Sequence, residues 1–211
     1  MSLKLGLRQR VVEVDSIKIS NRLPLIFIAG ICALESHELL SQVGRTLKTL
    51  FQKATIPWVL KCSFDKANRS SLSSYRGPGL KRALSIFKQI KKEFSVPLLT
   101  DIHEPYQAEV LAQTVDILQI PAFLCRQTDL LVAAGRTGKV VNIKKGQFMS
   151  PWDMKNAIEK VESTGNHNIL LTERGASFGY ANLVVDMRSL EIMARTGYPV
   201  IFDATHSCQL P

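Results

Sequence analysis

The segment Lys61 to Gly79 reads KCSFDKANRSSLSSYRGPG, with four cations, one carboxylate, five serines and two glycines. An arginine offers a planar fork that matches phosphate oxygens, a lysine offers a point charge, and serine hydroxyls add donors. Lys66, Arg69, Ser70 and Ser71 therefore form a candidate clamp for a phosphorylated ligand. Gly77, Pro78 and Gly79 suit a turn into a helix whose first amides would also face an anion. A run such as RSSLSS, taken alone, reads equally well as a flexible loop, so its neighbours decide.

Those neighbours are cations embedded in β-rich runs. Side chains alternate between the two faces of a strand. In VLKCSF, Val59, Lys61 and Ser63 share one face while Leu60, Cys62 and Phe64 share the other. In VVNIKK, Asn142 and Lys144 go together and Lys145 points oppositely; in LLTERG, Thr172 pairs with Arg174. With the polar sets inward, Lys61, Lys144 and Arg174 converge, and three converging cations repel unless an anion sits among them. Lys145 and the helical Lys88, Lys91 and Lys92 read instead as solvated surface lysines. Cys32 ends one β-rich run and His206 another. Thiolate and imidazole are suitable ligands for a borderline divalent metal, although two ligands do not complete a site and a lone strand-end cysteine is commonly a small core residue. His37, His103 and His167 are weaker candidates: His103 lies beside Asp101 and Glu104, and His167 reads as loop surface.

The elements that must position these groups follow one rhythm. β-rich runs occur at 25–32, 57–64, 97–103, 117–123, 139–145, 168–175 and 199–206, with helical patterns between most of them. Leu80, Ala83, Leu84, Phe87, Ile90 and Phe94 fall on one helical face. Ser150 and Pro151 predict a helix start, running through about residue 163. Gly138 and Gly197 sit where helices should end. RVVEV and SIKIS predict an N-terminal β-hairpin, within about residues 8–22.

Strand–helix alternation implies an α/β protein with a parallel sheet. No G-x-G-x-x-G follows the first run, and polar residues close every strand, which favours a single-domain (β/α)8 TIM barrel over an open doubly wound sheet. In a closed barrel the first and seventh strands are separated only by the eighth, which brings Cys32 and His206 to one side of the rim. Seven strands do not close such a barrel, so the eighth strand and its flanking helices are expected beyond Pro211.

The chain has 211 residues, 45% hydrophobic and 21% charged, enough for one sizeable core. A net charge of +9 suggests anionic partners. There is no run of 18 apolar residues, and four dispersed cysteines without C-x-x-C spacing predict a reduced, cytoplasmic protein with no membrane span. The surplus charge also admits a basic nucleic-acid-binding protein, but neither an aromatic-interleaved basic patch nor a recognition-helix signature is present.

Six stretches together resemble the 3-deoxy-D-manno-octulosonate 8-phosphate synthase family: KCSFDKANRSSLSSYRGPG, TDIHEPYQA, LQIPAFLCRQTDLL, VNIKKGQF, TERGASFGYANLVVDMRSL and IFDATHSCQLP. The resemblance runs from about residue 11 to Pro211, and its K-A-N-R-S-S loop separates this family from the related synthases that use erythrose 4-phosphate. It implies an aldol-type condensation of phosphoenolpyruvate with D-arabinose 5-phosphate and water, in lipopolysaccharide precursor synthesis. It further implies that Lys61, Lys66, Gln119, Ala122 (through its backbone), Lys144 and Arg174 hold phosphoenolpyruvate. Ser63, Asn68, Arg69 and Ser70 are implied in substrate binding, and Asp101 near the sugar or the metal.

In the family the Arg-Ser pair reaches a neighbouring subunit of a homotetramer, which places Arg69 and Ser70 in that role. Cys32 stands where the metal-free class has asparagine, so the resemblance implies the metal-dependent class. Cys32 and His206 are then ligands of a divalent ion such as Fe, Zn or Mn. The family's remaining two ligands, a Glu and an Asp, are expected beyond Pro211, and a product of this length alone is expected to be poorly folded or inactive. An inactive barrel kept for assembly is disfavoured by rim cations in every motif.

Overall fold

A computed structural model describes residues 8–209. After the N-terminal β-hairpin the chain alternates strand and helix: β3 (Phe27–Ala33), α1 (His37–Ala54), β4 (Trp58–Ser63), α2 (Leu80–Phe94), β5 (Leu98–Asp101), α3 (Pro105–Ala112), β6 (Ile117–Ile120), α4 (Thr128–Arg136), β7 (Val140–Lys144), α5 (Met154–Glu162) and β8 (Ile169–Glu173). A small antiparallel pair, β9 (Ala176–Ser177) and β10 (Leu183–Val184), precedes α6 (Arg188–Ala194), β11 (Val200–Phe202) and a one-turn α7 (Ala204–Ser207). The hairpin itself is β1 (Val12–Val14) paired with β2 (Ile17–Ile19), turning at Asp15, whose φ of 50° an aspartate tolerates in a tight turn.

The seven predicted strands form one parallel sheet in the order β11-β8-β7-β6-β5-β4-β3. Laid flat, six strand spacings would separate its edges by roughly 29 Å. Instead the Cys32 Sγ of β3 lies 3.9 Å from the His206 Nε2 that follows β11. The sheet is therefore rolled, with the helices outside, as a (β/α) barrel requires.

Alternation along each strand makes two separate apolar regions. Outward-facing Leu60, Cys62, Leu98, Leu118, Ile120, Val141, Ile143, Ile169 and Leu171 pack with the helices in one core. Inward-facing Val59, Leu99, Ile117, Val140 and Leu170 make a second, smaller core with Val12, Val14, Ile17 and Ile19 of the hairpin. The hairpin thus plugs the N-terminal end of the barrel, and only the opposite end is free to carry polar chemistry. Burying those four hairpin side chains contributes about 1.5–3 kcal/mol each, as an upper bound.

Local details follow from sequence. Ser36 caps α1, accepting from the Leu39 amide at 3.1 Å. Ser150 accepts from the Trp152 amide, but the first turn after it, Pro151–Asp153, is a 3-10 turn and the α-helix begins at Met154. Gly138 and Gly197 have φ of 69° and 88°, the left-handed values predicted for chain reversal after a helix. From β4 onward the strands end before their β-rich runs do, and the last residues of those runs leave the sheet at the rim; β3 instead starts late, at Phe27, and runs on to Ala33. Gly30 answers a different need: a Cβ there would lie 2.0 Å from the Lys61 carbonyl oxygen, so only glycine lets β3 approach β4 so closely. Among the described residues, no helix is long and apolar enough to cross a membrane.

Candidate active site

The barrel interior changes character with height. Above the apolar layer, the same inward-facing positions carry Lys61 and Ser63 on β4, Asp101 on β5, Gln119 on β6, Asn142 and Lys144 on β7 and Thr172 on β8, with Arg174 directly after. The strand registers align them: Lys61 is opposite Leu99, Asp101 opposite Gln119, Gln119 opposite Asn142 and Lys144 opposite Thr172. The predicted convergence of cations is therefore a consequence of strand pairing.

Asp101, 6% exposed, is the interior anion on this side. Its Oδ2 accepts from the Ser63 hydroxyl at 2.6 Å and lies 3.8 Å from Lys66 Nζ, which itself donates to Ser63 Oγ at 2.9 Å. Burial works to raise the Asp101 pKa, but Lys61, Lys66, the Ser63 hydroxyl and Lys144 outweigh it and hold the carboxyl well below the usual range.

Across the rim, Asp203 Oδ2 accepts from Lys144 Nζ at 2.6 Å and meets His206 Nδ1 at 2.8 Å. Burial acts to raise the Asp203 pKa, while the His206 bond and Lys144 hold it well below the usual range. Burial lowers the pKa of Lys144 against the opposing pull of Asp203, and burial also lowers that of Arg174. Arg174 is 4% exposed; its Nη2 donates to Gln209 Oε1 at 3.0 Å, while its Nη1 is buried with no partner among the described residues. A buried guanidinium N–H without an acceptor is costly, and an incoming anionic oxygen satisfies it.

The expected metal ligands come together from the two ends of the sheet. Asp203 takes the Nδ1 side of the His206 ring, which leaves Nε2 facing Cys32 Sγ at 3.9 Å. A tetrahedral centre with bonds of about 2.3 Å to sulfur and about 2.0–2.1 Å to nitrogen spaces such donors about 3.6 Å apart. The Cys32 thiol is lowered to about 6, chiefly by its hydrogen bond with His206 and further by Lys66 and Lys61, against partial burial. His206 is raised by its bonds to Asp203 and Cys32. The donor pair thus fits a divalent ion in type, spacing and outer support. No group of three or more Cys, His, Asp or Glu ligands occurs among the described residues.

The rest of the predicted site is more open. Asn68, Arg69 and Ser70 are exposed, and Arg69 Nε donates to the Tyr75 carbonyl at 3.3 Å. Arg76 pairs with Asp65 and closes the loop base, where the Lys66 amide donates to the Arg76 carbonyl at 2.8 Å. Ala122 is buried in a 3-10 turn, Ala122–Leu124, just past β6. His103 is part-buried beside Phe64, with ring centroids 5.7 Å apart; burial lowers its pKa, and its Nδ1 has no partner among the described residues. His167 lies outside the site, with a half-exposed side chain near Glu162.

One expectation is corrected. Lys145 is not a solvated surface lysine: it is 2% exposed and its Nζ lies 3.5 Å from Glu173 Oε1. Just past β7 its outward side is covered by Glu173 and by the loop carbonyls of Gly146, Met149 and Gly175, not by water. Asn142 and Thr172, read as inward with Lys144 and Arg174, gain hydrogen-bond partners there, and Asp203, Gln209 and Glu173 gain places in or behind the site that sequence reading did not assign. Asp203 was the most accessible of these, since an acid three residues before a strand-end histidine is a natural helix cap and ring partner.

These features define a parallel barrel whose open end gathers buried lysine and arginine side chains beside a thiol–imidazole pair. The chain belongs to the DAHP synthetase I family, whose family model matches residues 7–211. It is 56% identical over 202 residues to a 2-dehydro-3-deoxyphosphooctonate aldolase of Granulibacter bethesdensis, covering 96% of this chain and 72% of that protein. A protein of the same name from Geotalea uraniireducens is 56% identical over 95% of this chain and 74% of its own length. One from Bartonella henselae is 57% identical over 95% and 72%.

Proposed function

We infer that this protein catalyses the reaction of its 2-dehydro-3-deoxyphosphooctonate aldolase relatives. Phosphoenolpyruvate condenses with D-arabinose 5-phosphate and water, giving the eight-carbon 3-deoxy sugar acid 8-phosphate and inorganic phosphate. The observation that carries the reading is the set of interior cations, Lys61, Lys66, Lys144 and Arg174, with Arg174 Nη1 buried and without an acceptor among the described residues. Phosphoenolpyruvate brings a phosphate and a carboxylate, which match such a set. Asn68, Arg69 and Ser70, on the exposed loop, are placed for the second phosphate.

The chemistry asks mainly for alignment and fixed charge. C3 of the enol attacks the sugar aldehyde, forming the new C–C bond, and the aldehyde oxygen takes a proton. C2 becomes electron-poor and gains a hydroxyl from water, which gives up a proton. The C2–O bond to phosphate then breaks and the C2 hydroxyl loses its proton to become the ketone. Lys61, Lys144 and Arg174 offset the charge of the phosphoenolpyruvate anion and of the departing phosphate, and Lys66 and Gln119 orient it from one side. Ala122 offers backbone groups at the end of β6. Asp101 and Ser63 hold Lys66 in place.

We assign Cys32 and His206 as ligands of a divalent ion such as Fe, Zn or Mn. Bound there, it supplies Lewis-acid polarisation of substrate or water oxygens. Asp203 fixes the His206 ring for that role. We further propose a homotetramer in which Arg69 and Ser70 reach a neighbouring site. The support is their exposure on a loop beyond this chain's own rim. Four free thiols accord with a cytoplasmic location. The alternative substrate, erythrose 4-phosphate, is disfavoured by the K-A-N-R-S-S loop.

The test is loss of phosphoenolpyruvate with arabinose 5-phosphate present, on full-length protein, with half the sample stripped by chelator. Turnover that disappears on stripping and returns with a divalent ion supports both the reaction and the ligand assignment. Turnover indifferent to stripping removes the metal. Absence of turnover overturns the reading.

A further inference from the structure

Just below the rim, buried side chains on five consecutive strands form one hydrogen-bonded belt. Ser63 of β4 donates to Asp101 Oδ2 of β5 at 2.6 Å, and Gln119 of β6 donates from Nε2 to Asp101 Oδ1. Gln119 Oε1 accepts from Asn142 Nδ2 of β7 at 2.9 Å. Asn142 Oδ1 accepts from the Thr172 hydroxyl of β8 at 2.7 Å. Each member is at most 6% exposed, so water cannot substitute for a lost partner.

The direction of this belt is dictated by chemistry. A carboxylate ringed by Lys61, Lys66 and Lys144 is ionised and can only accept. Gln119 must therefore turn its amide nitrogen toward Asp101, which sends its oxygen toward β7. Asn142 must answer with nitrogen, which sends its own oxygen toward β8, and Thr172 must donate. Each of the two primary amides has a flipped alternative, and each flip would set oxygen against oxygen. Every donor from β8 back to β5 thus points at Asp101.

We propose that Asn142 and Thr172 are positioning residues that hold the Gln119 amide in the polarity set by Asp101. With Oε1 engaged toward β7, the second Nε2 hydrogen is the group Gln119 has left for the site. The floor beside the rim cations is then a donor surface, selective for an anionic oxygen and unfavourable to a ligand that itself donates. This rests on the reading that Gln119 faces phosphoenolpyruvate.

Two measurements on full-length protein test it. Binding of phosphoenolpyruvate is measured by calorimetric titration of wild type, Thr172→Ser and Thr172→Val. Thr172→Ser keeps the donor and should bind within about twofold of wild type. Thr172→Val removes it and should raise Kd about tenfold, with KM for phosphoenolpyruvate rising alike and kcat changing less than about threefold. An unchanged Kd in Thr172→Val, or an equal loss in Thr172→Ser, overturns the proposal. Failure of the wild type to bind phosphoenolpyruvate overturns the functional reading instead.

The second measurement moves the anion. Asn142→Asp places a second acceptor opposite Gln119, and Asp101→Asn removes the first. Combined, they reverse the two bonds on either side of Gln119 and let its amide flip, while the Thr172 hydroxyl still donates to residue 142. Each single change should lower the urea midpoint, and the double should recover more than half of the Asn142→Asp loss. Additive losses overturn the proposed polarity.

Discussion

Lys145 Nζ lies 3.5 Å from Glu173 Oε1, with both side chains 2% exposed, directly behind the strand ends that carry Lys144 and Arg174. The pair also organises backbone. Glu173 Oε1 accepts from the Arg174 and Gly175 amides at 2.9 and 2.6 Å, and its Oε2 accepts from the Ser189 hydroxyl at 2.6 Å. Lys145 Nζ donates to the Gly146, Met149 and Gly175 carbonyls at 3.3–3.5 Å. Removing one partner leaves a buried charge alone. Lys145→Met should therefore cost about 3–5 kcal/mol, whereas Lys145→Met with Glu173→Gln should cost less than the sum of the two single changes. Urea unfolding measures both; strict additivity would show that the two groups do not compensate each other.

Arg174 faces the site and Lys88 faces away from it on the exposed side of α2. Arg174→Met should lower kcat/KM for phosphoenolpyruvate about 10²–10³-fold, the usual scale for losing one fixed donor to developing charge. Lys88→Met should change it less than about twofold. Equal losses would mean that the overall positive charge, not the rim geometry, serves the substrate.

Cys32 titrates at about 6 because His206 holds its thiolate. A group with a lowered pKa is deprotonated from a lower pH upward, so the rate of iodoacetamide modification should rise through a midpoint near that value in metal-stripped protein. The experiment is run with Cys208→Ser, since Cys208 is also exposed. Cys62 and Cys125 are buried, and burial pushes the Cys62 thiol up to about 12. His206→Ala should move the Cys32 midpoint toward the ordinary thiol range near 9. An unmoved midpoint would separate Cys32 from His206.

Asp101 carries an acid-linked share of stability. Its pKa in the folded chain lies below the usual value of about 3.9, so the stabilisation is fully present above that value and is lost as pH falls through the folded-state pKa. The wild-type protein should therefore lose stability steeply below about pH 4, and Asp101→Asn, although less stable at pH 7, should lose it with a shallower slope. Parallel slopes in urea unfolding across pH 2–5 would assign the acid sensitivity to other carboxyls.

Much of this was legible in the sequence because strand alternation is strict. Lys61, Lys144 and Arg174 share the inward parity of Val59, Val140 and Leu170, and the α2 stripe from Leu80 to Phe94 became the helix of those bounds. Cys32 and His206, 174 residues apart in sequence, were placed together by barrel closure, and the rolled sheet sets them 3.9 Å apart. Lys145 was misread because parity tells which face a residue takes but not what covers that face; at β7 the cover is Glu173 and the loop after β8. The Asn142–Thr172 link was hidden for a related reason. It depends on cross-strand register, and the bulge between Ile31 and Ala33 shows that register is set by packing as well as by pattern. His206, three residues on, was a visible partner of Asp203, but the partner that ties Asp203 to the cation cluster, Lys144, lies two strands away in the sheet and 59 residues away in sequence.

The central claim is the identity of the reaction, and the sugar tests it most directly. Release of inorganic phosphate from phosphoenolpyruvate is measured with the full-length protein and a divalent ion, using arabinose 5-phosphate and erythrose 4-phosphate in separate reactions. The expected result is phosphate release in step with consumption of arabinose 5-phosphate, with kcat/KM at least about tenfold below it for erythrose 4-phosphate. Preference for erythrose 4-phosphate, or phosphate release that is independent of either sugar, would contradict the assignment.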